Sequence, residues 1–235
     1  MMRILTLVAS SLLAATTAAF AAPVTVDNCG SDLTFDSVPE RVVVHDINMS
    51  EMMFALGLQD RIVGLTGISG WYKTSPEFDV LRGDIPELAP KYPTMENLVA
   101  ATPDLFFAGW YYGMRPGGEV TPDTLRAQDI QTLVLTESCV HQHDDRPAAS
   151  MDLLFDDMLR LGAVFDKESE AKALVAGWRT ELDAIQTAIP EENRLRAECI
   201  RRHFAAGAHS IIPTCKEQVR CRGYEVFHRR IFWRE

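Results

Sequence analysis

The sequence predicts an α/β fold, with a Rossmann-like parallel-sheet lobe followed by a long interdomain helix. Two observations support this prediction. Short apolar runs alternate with helical segments between residues 42 and 136, as in strands connected by right-handed crossovers. After Pro147, apolar residues instead recur every three or four positions up to Ile189, as on one face of a long helix.

Local signals place each element of the lobe. Residues 24–36 alternate apolar and polar side chains around Asn28 to Ser31, which indicates a small hairpin. The remaining predicted elements are a strand at 42–44, a short helix with Ser50 as a possible N-cap, a strand at 61–67, a helix ending before Pro103, a strand at 105–110, a helix beginning at Thr121 and Pro122, and a strand at 130–136. This gives four parallel strands, and ligands bind outside the carboxyl ends of such strands.

The N-terminus has the features of a secretory signal peptide. A positive charge at Arg3 precedes an apolar run over residues 4–13, and small residues flank a cleavage point near Ala21. The run is shorter than the roughly 20 apolar residues of a membrane-spanning helix. We therefore expect residues 1–21 to be removed and the protein to be periplasmic rather than membrane-embedded.

Charge and periodicity both change near Pro190. The chain carries a formal charge of -10, which argues against nucleic-acid binding. Residues 1–193 contain 13 Lys and Arg against 29 Asp and Glu, whereas residues 194–235 contain 10 against 4. Residues 191–235 also keep no period of 2 or 3.6, so we interpret them as an aberrant basic tail, either foreign or frameshifted sequence or a tail that binds an acidic partner.

These signals predict a signal peptide at 1–21, an N-terminal α/β ligand-binding lobe at 22–147, linking helices at 148–190 and the aberrant tail at 191–235. The cysteines follow the same division. Cys29 and Cys139 are the two in the acidic part, and in an exported protein they suggest one disulfide. Cys199, Cys215 and Cys221 in the tail lack the paired spacing of a zinc site.

Large aromatic residues and cations follow two of the predicted strands. They offer rigid rings and positive charge to a bulky anionic ligand. These candidate ligand-binding residues are Trp71, Tyr72, Lys73, Trp110, Tyr111, Tyr112 and Arg115. Trp110 could equally pack in the core, and at least one of Tyr111 and Tyr112 should be exposed because strand side chains alternate.

Two histidine positions lie near the same edge. His45 ends the first strand of the sheet and would lie at the cleft floor, either as a ligand contact or as a buried, hydrogen-bonded histidine. The segment HQHDD, residues 141–145, is a solvated loop or a source of ligands for an unsaturated ferric complex.

The segments PERVVV, EMMFALGLQDRIVG, TMENLVAATPDLFFAG and LVLTES resemble the periplasmic binding proteins of iron-siderophore and vitamin B12 ABC importers. ENLVAATPDLFFA is the most specific of them, and the likeness covers about residues 24–190. The resemblance implies two α/β lobes joined by a rigid helix, with ligand held in the cleft between them. About 45 residues follow Pro190, so the second lobe is expected to be mostly missing.

The resemblance also implies a function without catalysis. We expect a monomer with no catalytic residues, no resident metal and no cofactor, which captures a ferric siderophore and delivers it to an ABC permease and its ATPase. Truncation would impair this binding. Glu96 matches the acidic position with which such proteins dock onto the permease, although it is equally consistent with an ordinary solvated glutamate.

Several other functions stay open. Cobalamin or haem could replace the siderophore, and a free zinc or manganese carrier would need ligands besides His45. An exported metal-dependent hydrolase would have to rest on His141, His143 and Asp144. The chain contains no Gly-x-Ser-x-Gly elbow, no His-Glu-x-x-His helix and no Gly-x-Gly-x-x-Gly loop.

Overall fold

The computed structural model describes residues 22–71, 73–142 and 150–189. It shows a mixed α/β fold in which helices connect the strands of a parallel sheet, as the sequence predicts. The chain divides into two compact units, Met1–Ala173 and Leu174–Glu235. The predicted tail at 191–235 lies outside the described residues.

The predicted hairpin is present at the start of the lobe. Strands β1 (Val24–Asp27) and β2 (Asp32–Phe35) pair antiparallel. Cys29 and Gly30 both have positive φ in the connecting turn, which matches the right-handed twist of the two strands. The Asn28 side chain donates to the Thr132 carbonyl at 3.0 Å and accepts from the Val134 amide at 2.8 Å, so the hairpin is fixed to the main sheet.

The main sheet has six strands among the described residues, and all their pairings are parallel. They are β3 (Val42–His45), β4 (Ile62–Thr66), β5 (Glu87–Ala89), β6 (Leu105–Trp110), β7 (Gly113–Met114) and β8 (Gln131–Val134). The order is β5-β4-β3-β6-β7, with β8 also paired to β6. The sequence predicted only four of these, because β5 and β7 are too short to form an apolar run.

Four short helices cover the sheet connections: α1 (Ile47–Ala55), α2 (Pro76–Arg82), α3 (Met95–Ala101) and α4 (Pro122–Arg126). The predicted N-cap Ser50 is wrong. Helix α1 begins directly after β3, so Asp46 is the N-cap and accepts from the Ile47 amide at 2.6 Å. Ser50 lies inside the helix, where its hydroxyl donates to the Asp46 carbonyl at 2.7 Å.

Helix α5 (Met151–Val164) is part of the first compact unit, although the sequence assigned it to the linking region. Its Arg160 donates to the carbonyls of Asp27 at 2.8 Å and Val134 at 2.6 Å, and it pairs with Asp157. Asp157 accepts from the Thr136 hydroxyl at 2.6 Å. These polar contacts attach α5 to β1 and to the end of β8.

Helix α6 (Glu168–Ala188) matches the predicted long helix. Its 21 residues correspond to about 31 Å at the usual rise of an α-helix. The second compact unit begins at Leu174, and its described part, residues 174–189, carries apolar side chains at helical spacing, with Ile185 exposed. Within the described residues, no helix is both long and apolar enough to cross a membrane.

Candidate functional site

The carboxyl ends of the central strands bring His45, Thr66 and Gly113 together. Strands β3 and β4 are in register with His45 beside Thr66, so both side chains leave the sheet at the same edge. His45 is 1% exposed, which places it below the surface as the floor of this edge. Its Nδ1 and the Thr66 hydroxyl form a 2.8 Å hydrogen bond.

Two glycines enclose the His45 ring. A Cβ at Gly67 would fall onto the ring, within 2.7 Å of Nε2, and a Cβ at Gly113 would lie 2.8 Å from Cγ. Both glycines also have positive φ, which other residues adopt at a cost. Burial lowers the pKa of His45 to about 4. The imidazole is therefore neutral near pH 7 and contributes a hydrogen-bonding ring rather than a charge.

Tyr92 is the centre of an aromatic cluster above this floor. Its ring stacks on His45 at 5.6 Å between centroids and meets Trp71 edge-on at 6.3 Å. Its hydroxyl donates to the Tyr111 carbonyl at 2.6 Å. These contacts join the last residue of β3 to residues that follow β4 and β6, so Tyr92 connects three strand ends. We call Trp71, Tyr92 and Tyr111 the ring platform.

Each of two platform rings carries a cation. Lys91 Nζ lies 4.4 Å from the Trp71 ring centroid, and Arg115 Cζ lies 4.5 Å from the Tyr92 ring centroid. Such contacts are attractive because the face of an aromatic ring is electron-rich. Both cations are exposed at the surface, so they are oriented by the rings while their charge stays accessible.

Tyr111 and Tyr112 leave the end of β6 in different directions. Tyr111 is 51% exposed, has a φ of 64°, and its ring meets that of His141 edge-on at 4.6 Å. Tyr112 is half-buried, and its hydroxyl donates to Glu137 at 3.4 Å. Burial and the neighbouring Glu137 carboxylate raise the pKa of Tyr112. The Tyr111 ring is thus exposed to solvent, while Tyr112 contacts the wall of the site.

That wall is the 3₁₀ helix Thr136–His141, which follows β8. Ser138 accepts from the Trp110 amide at 3.0 Å and donates to the Leu135 carbonyl at 2.7 Å. Cys139 forms a disulfide with Cys29, the pairing expected from the sequence. The helix that carries Glu137 and His141 is therefore held by a covalent bond to the hairpin and by a hydrogen bond to β6.

Trp110 is placed differently from the predicted ligand contact. It is 7% exposed and packs in a core cluster with Phe106 and Ala108. The three residues alternate along β6, so they share one face of the strand, and that face is buried. Trp110 therefore packs in the core of the lobe, which is one of the two positions that the sequence left open for it.

The remaining predicted residues are spread around the site. Lys73 is exposed after β4, and Glu96 is exposed in the first turn of α3. Tyr72, His143 and Asp144 lie outside the described residues. In the part of the chain that the structure describes, no three His, Cys, Asp or Glu side chains come together as a metal site.

The sequence reading missed Lys91 and Tyr92, the residues that organise the platform. They follow β5, a three-residue strand in which Glu87 and Ala89 pair with β4. Because the sequence does not predict β5, it gives no reason to expect ligand contacts in the loop after that strand. The short segment ELA, followed three residues later by Tyr92, is the signal that could predict a strand and a ring at this sheet edge.

The chain matches one protein family over most of its length. The family described as periplasmic binding protein matches residues 42–216, more than half of the chain. The chain belongs to this family. The match begins at β3 and continues past Pro190, so it includes the whole main sheet and both long helices.

The most similar proteins include one curated relative and two solved structures. A cobalamin-binding protein of Halobacterium salinarum is 27% identical over 170 residues, 72% of this chain and 41% of the relative. An ABC-type Fe3+-hydroxamate transport system protein of Saccharomonospora viridis is 28% identical, with a TM-score of 0.59, over 72% of this chain and 57% of the other.

A periplasmic binding protein of Veillonella parvula is 23% identical, with a TM-score of 0.60, over 73% of this chain and 56% of its own, and this likeness concerns the fold alone. The chain thus spans about half the length of the proteins it matches.

Proposed function

We propose that this protein is the solute-binding component of an ABC importer, and that it captures a ferric siderophore in the periplasm and delivers it to the permease. The ring platform carries this proposal. Trp71 and Tyr111 are each 51% exposed at the carboxyl ends of parallel strands, where ligands bind in open α/β sheets. Both residues contact Tyr92, and a group of exposed large rings commonly marks a binding site.

The platform suits a bulky chelate because it combines flat apolar faces with polar edges. Tyr92 is held by four partners, so its ring is oriented before ligand arrives. Rigid side chains lose little conformational entropy when they bind. Recognition by rings and charge requires no covalent step, so we propose binding and release without turnover.

Cobalamin is the second candidate. The relative from Halobacterium salinarum is called a cobalamin-binding protein, and its similarity covers 72% of this chain. A corrin ring is also broad and flat, so stacking on Trp71 and Tyr111 would suit it. The two candidates differ in metal and in charge and can be separated by direct titration.

Delivery requires a surface that the permease recognises. Glu96 is exposed in the first turn of α3, where its carboxylate also interacts favourably with the helix dipole. We propose that Glu96 contacts arginines of the permease. Its replacement by Gln should leave ligand affinity unchanged and reduce ligand-stimulated ATP hydrolysis in reconstituted importer.

Isothermal titration calorimetry of the full chain tests the ligand proposal directly. A ferric trihydroxamate, a ferric tris-catecholate and cyanocobalamin are titrated separately. We expect saturable binding of at least one ferric complex, and a loss of about tenfold in affinity for Trp71→Ala and for Tyr92→Ala. Val80→Ala, at an 81% exposed apolar residue on α2, should leave affinity unchanged.

The outcomes separate the candidates. Binding of cyanocobalamin with no binding of ferric complexes would select the second candidate. Absence of heat with all three ligands would contradict the proposed function. Circular dichroism of each variant shows whether a lost signal reflects the site or the fold.

A further inference from the structure

We propose that the ring platform selects metal chelates with net negative charge over neutral ones, through Lys91 and Arg115. This inference rests on the proposed function and specifies the class of chelate. Its chemical target is a polyanionic chelate with aromatic donor groups, such as a ferric tris-catecholate. Neither cation makes an ion pair within the part of the chain that the structure describes.

The cations and rings form an ordered series. Lys91 lies over Trp71, Trp71 meets Tyr92 edge-on, and Arg115 lies over Tyr92. An aromatic chelate that stacks on the exposed ring of Trp71 would therefore lie within reach of a positive charge. Cation–ring contacts hold the two side chains near these positions, which lowers the entropy cost of pairing them with an anion.

Neither Lys91 nor Arg115 pairs with a carboxylate among the described residues, and three carboxylates of the lobe instead accept hydrogen bonds from backbone amides. Glu87 accepts from the amides of Ile68 at 3.1 Å and Ser69 at 2.8 Å. Asp46 accepts from Ile47, and Glu119 accepts from Met95 at 3.3 Å.

Glu137 is also exposed, and among the described residues it accepts from the Tyr112 hydroxyl at 3.4 Å. It lies on the 3₁₀ helix Thr136–His141. Lys91 and Arg115 therefore remain available to pair with an anionic ligand.

Lys91 and Arg115 belong to the acidic part of the chain. Residues 1–193 contain 29 acidic against 13 basic residues, so basic side chains are scarce in this part of the sequence. Two of them lie over neighbouring rings at the ligand-binding edge. A neutral chelate would remove part of the water around both cations without offering an opposite charge in its place. An anionic chelate would instead pair with them.

Calorimetry with matched ferric complexes tests the inference. The full chain is titrated with a trianionic ferric tris-catecholate and with a neutral ferric trihydroxamate. We expect the trianion to bind about tenfold or more tightly than the neutral complex, because each charge-assisted contact contributes to it alone. Lys91→Gln and Arg115→Gln should each weaken the trianion about tenfold and the neutral complex less than about twofold.

Two further variants complete the design. Arg126→Gln removes an exposed arginine on α4 that pairs with Asp123, so it changes net charge equally without touching the platform. It should leave both affinities unchanged. Arg115→Lys keeps the charge and should recover most of the affinity lost in Arg115→Gln.

Equal affinity for the two complexes, or equal losses of both in the Gln variants, would overturn the charge inference and leave the proposed function standing. Failure of both ferric complexes and of cyanocobalamin to bind would overturn the proposed function itself.

Discussion

The His45 side chain illustrates how burial fixes the chemistry of a single residue. Its ring is enclosed by Gly67 and Gly113 and is hydrogen-bonded to Thr66. Burial holds its pKa at about 4, below the value of 6.5 for an exposed histidine. His45 therefore remains neutral over the pH range in which an unfolded chain would take up a proton at this position.

This difference predicts a pH-dependent loss of stability. Between about pH 6.5 and pH 4 the unfolded state binds a proton at His45 that the folded state does not, so the free energy of unfolding falls as pH decreases through this window, by at most about 3 kcal/mol. Urea denaturation of wild type and His45→Gln at pH 7, 5.5 and 4.5 measures it. The variant should lose less stability on acidification than wild type.

His141→Gln is the matched control for this experiment, since His141 is exposed. It should keep the pH dependence of wild type. Parallel pH profiles for wild type and His45→Gln would contradict the assignment to His45.

Gly67 predicts a steric effect on the same ring. Gly67→Ala combines an unfavourable positive φ with a clash against His45, whereas Gly117→Ala has a φ of 69° and no atom within 4 Å of the new Cβ. Backbone strain alone costs about 1 kcal/mol, so Gly117→Ala should lose about that much and Gly67→Ala at least about twice as much. Thermal or urea denaturation of both variants provides the comparison, and equal losses would argue against a tight enclosure of His45.

At the scale of elements, α5 is held to the sheet by a buried ion pair. Asp157 and Arg160 are 2% and 9% exposed, and both also bond to groups at the end of β8. Burial raises the pKa of Asp157, although Arg160 and the Thr136 donors oppose that shift. Removing these two charges from water is therefore costly. Replacing both residues should lower the free energy of unfolding less than replacing one of them, which leaves the other charge buried and unpaired.

Asp157→Ala should lower the free energy of unfolding by about 3 to 5 kcal/mol, because it leaves Arg160 buried without its partner. The double variant Asp157→Leu and Arg160→Met should recover part of that loss. Asp123→Ala breaks a pair with the same spacing at the surface, where the carboxylate is 89% exposed, and should cost less than about 1 kcal/mol. Similar losses for Asp157→Ala and Asp123→Ala would contradict the role assigned to the buried pair.

The elements also show what the sequence could predict. Val42, Val43 and Val44 form a continuous apolar run because β3 is buried on both faces, and such runs identify central strands. Trp71 and Tyr111 could be found because they follow predicted strands. Short peripheral strands carry no such signal, since their identity depends on pairing with a neighbour, as β5 does with β4.

The placement of single rings required tertiary structure. Tyr92 could not be identified without β5, and its stacking on His45 joins the loop after β5 to the end of β3. Trp110 was predictable in part, because strand alternation puts it on the same face as Phe106, but sequence alone does not say which face is covered. The sheet was therefore easier to predict than the site at its edge.

At the scale of the molecule, the disulfide between Cys29 and Cys139 closes a loop with a sequence separation of 110 residues. This loop contains the six strands of the main sheet up to β8. In the chain-entropy description, a disulfide that closes a loop of this length adds about 5 kcal/mol to the free energy of unfolding. Measured contributions of disulfides are commonly about 2 to 4 kcal/mol.

The double variant Cys29→Ser and Cys139→Ser should therefore unfold at lower urea concentration, with a loss of a few kcal/mol. Wild type in dithiothreitol should approach the same midpoint. A variant as stable as oxidised wild type would show that the sheet and α5 suffice without the covalent link.

Tyr111 combines a backbone conformation that suits glycine with a side chain that glycine lacks. Its φ of 64° is unfavourable for a bulky residue, while the exposed ring gains little from burial. A laboratory selection for heat resistance alone would then favour small residues at position 111, whereas a selection for ligand capture would restore the tyrosine. Engineering of this lobe for robustness should leave position 111 out of any randomised library.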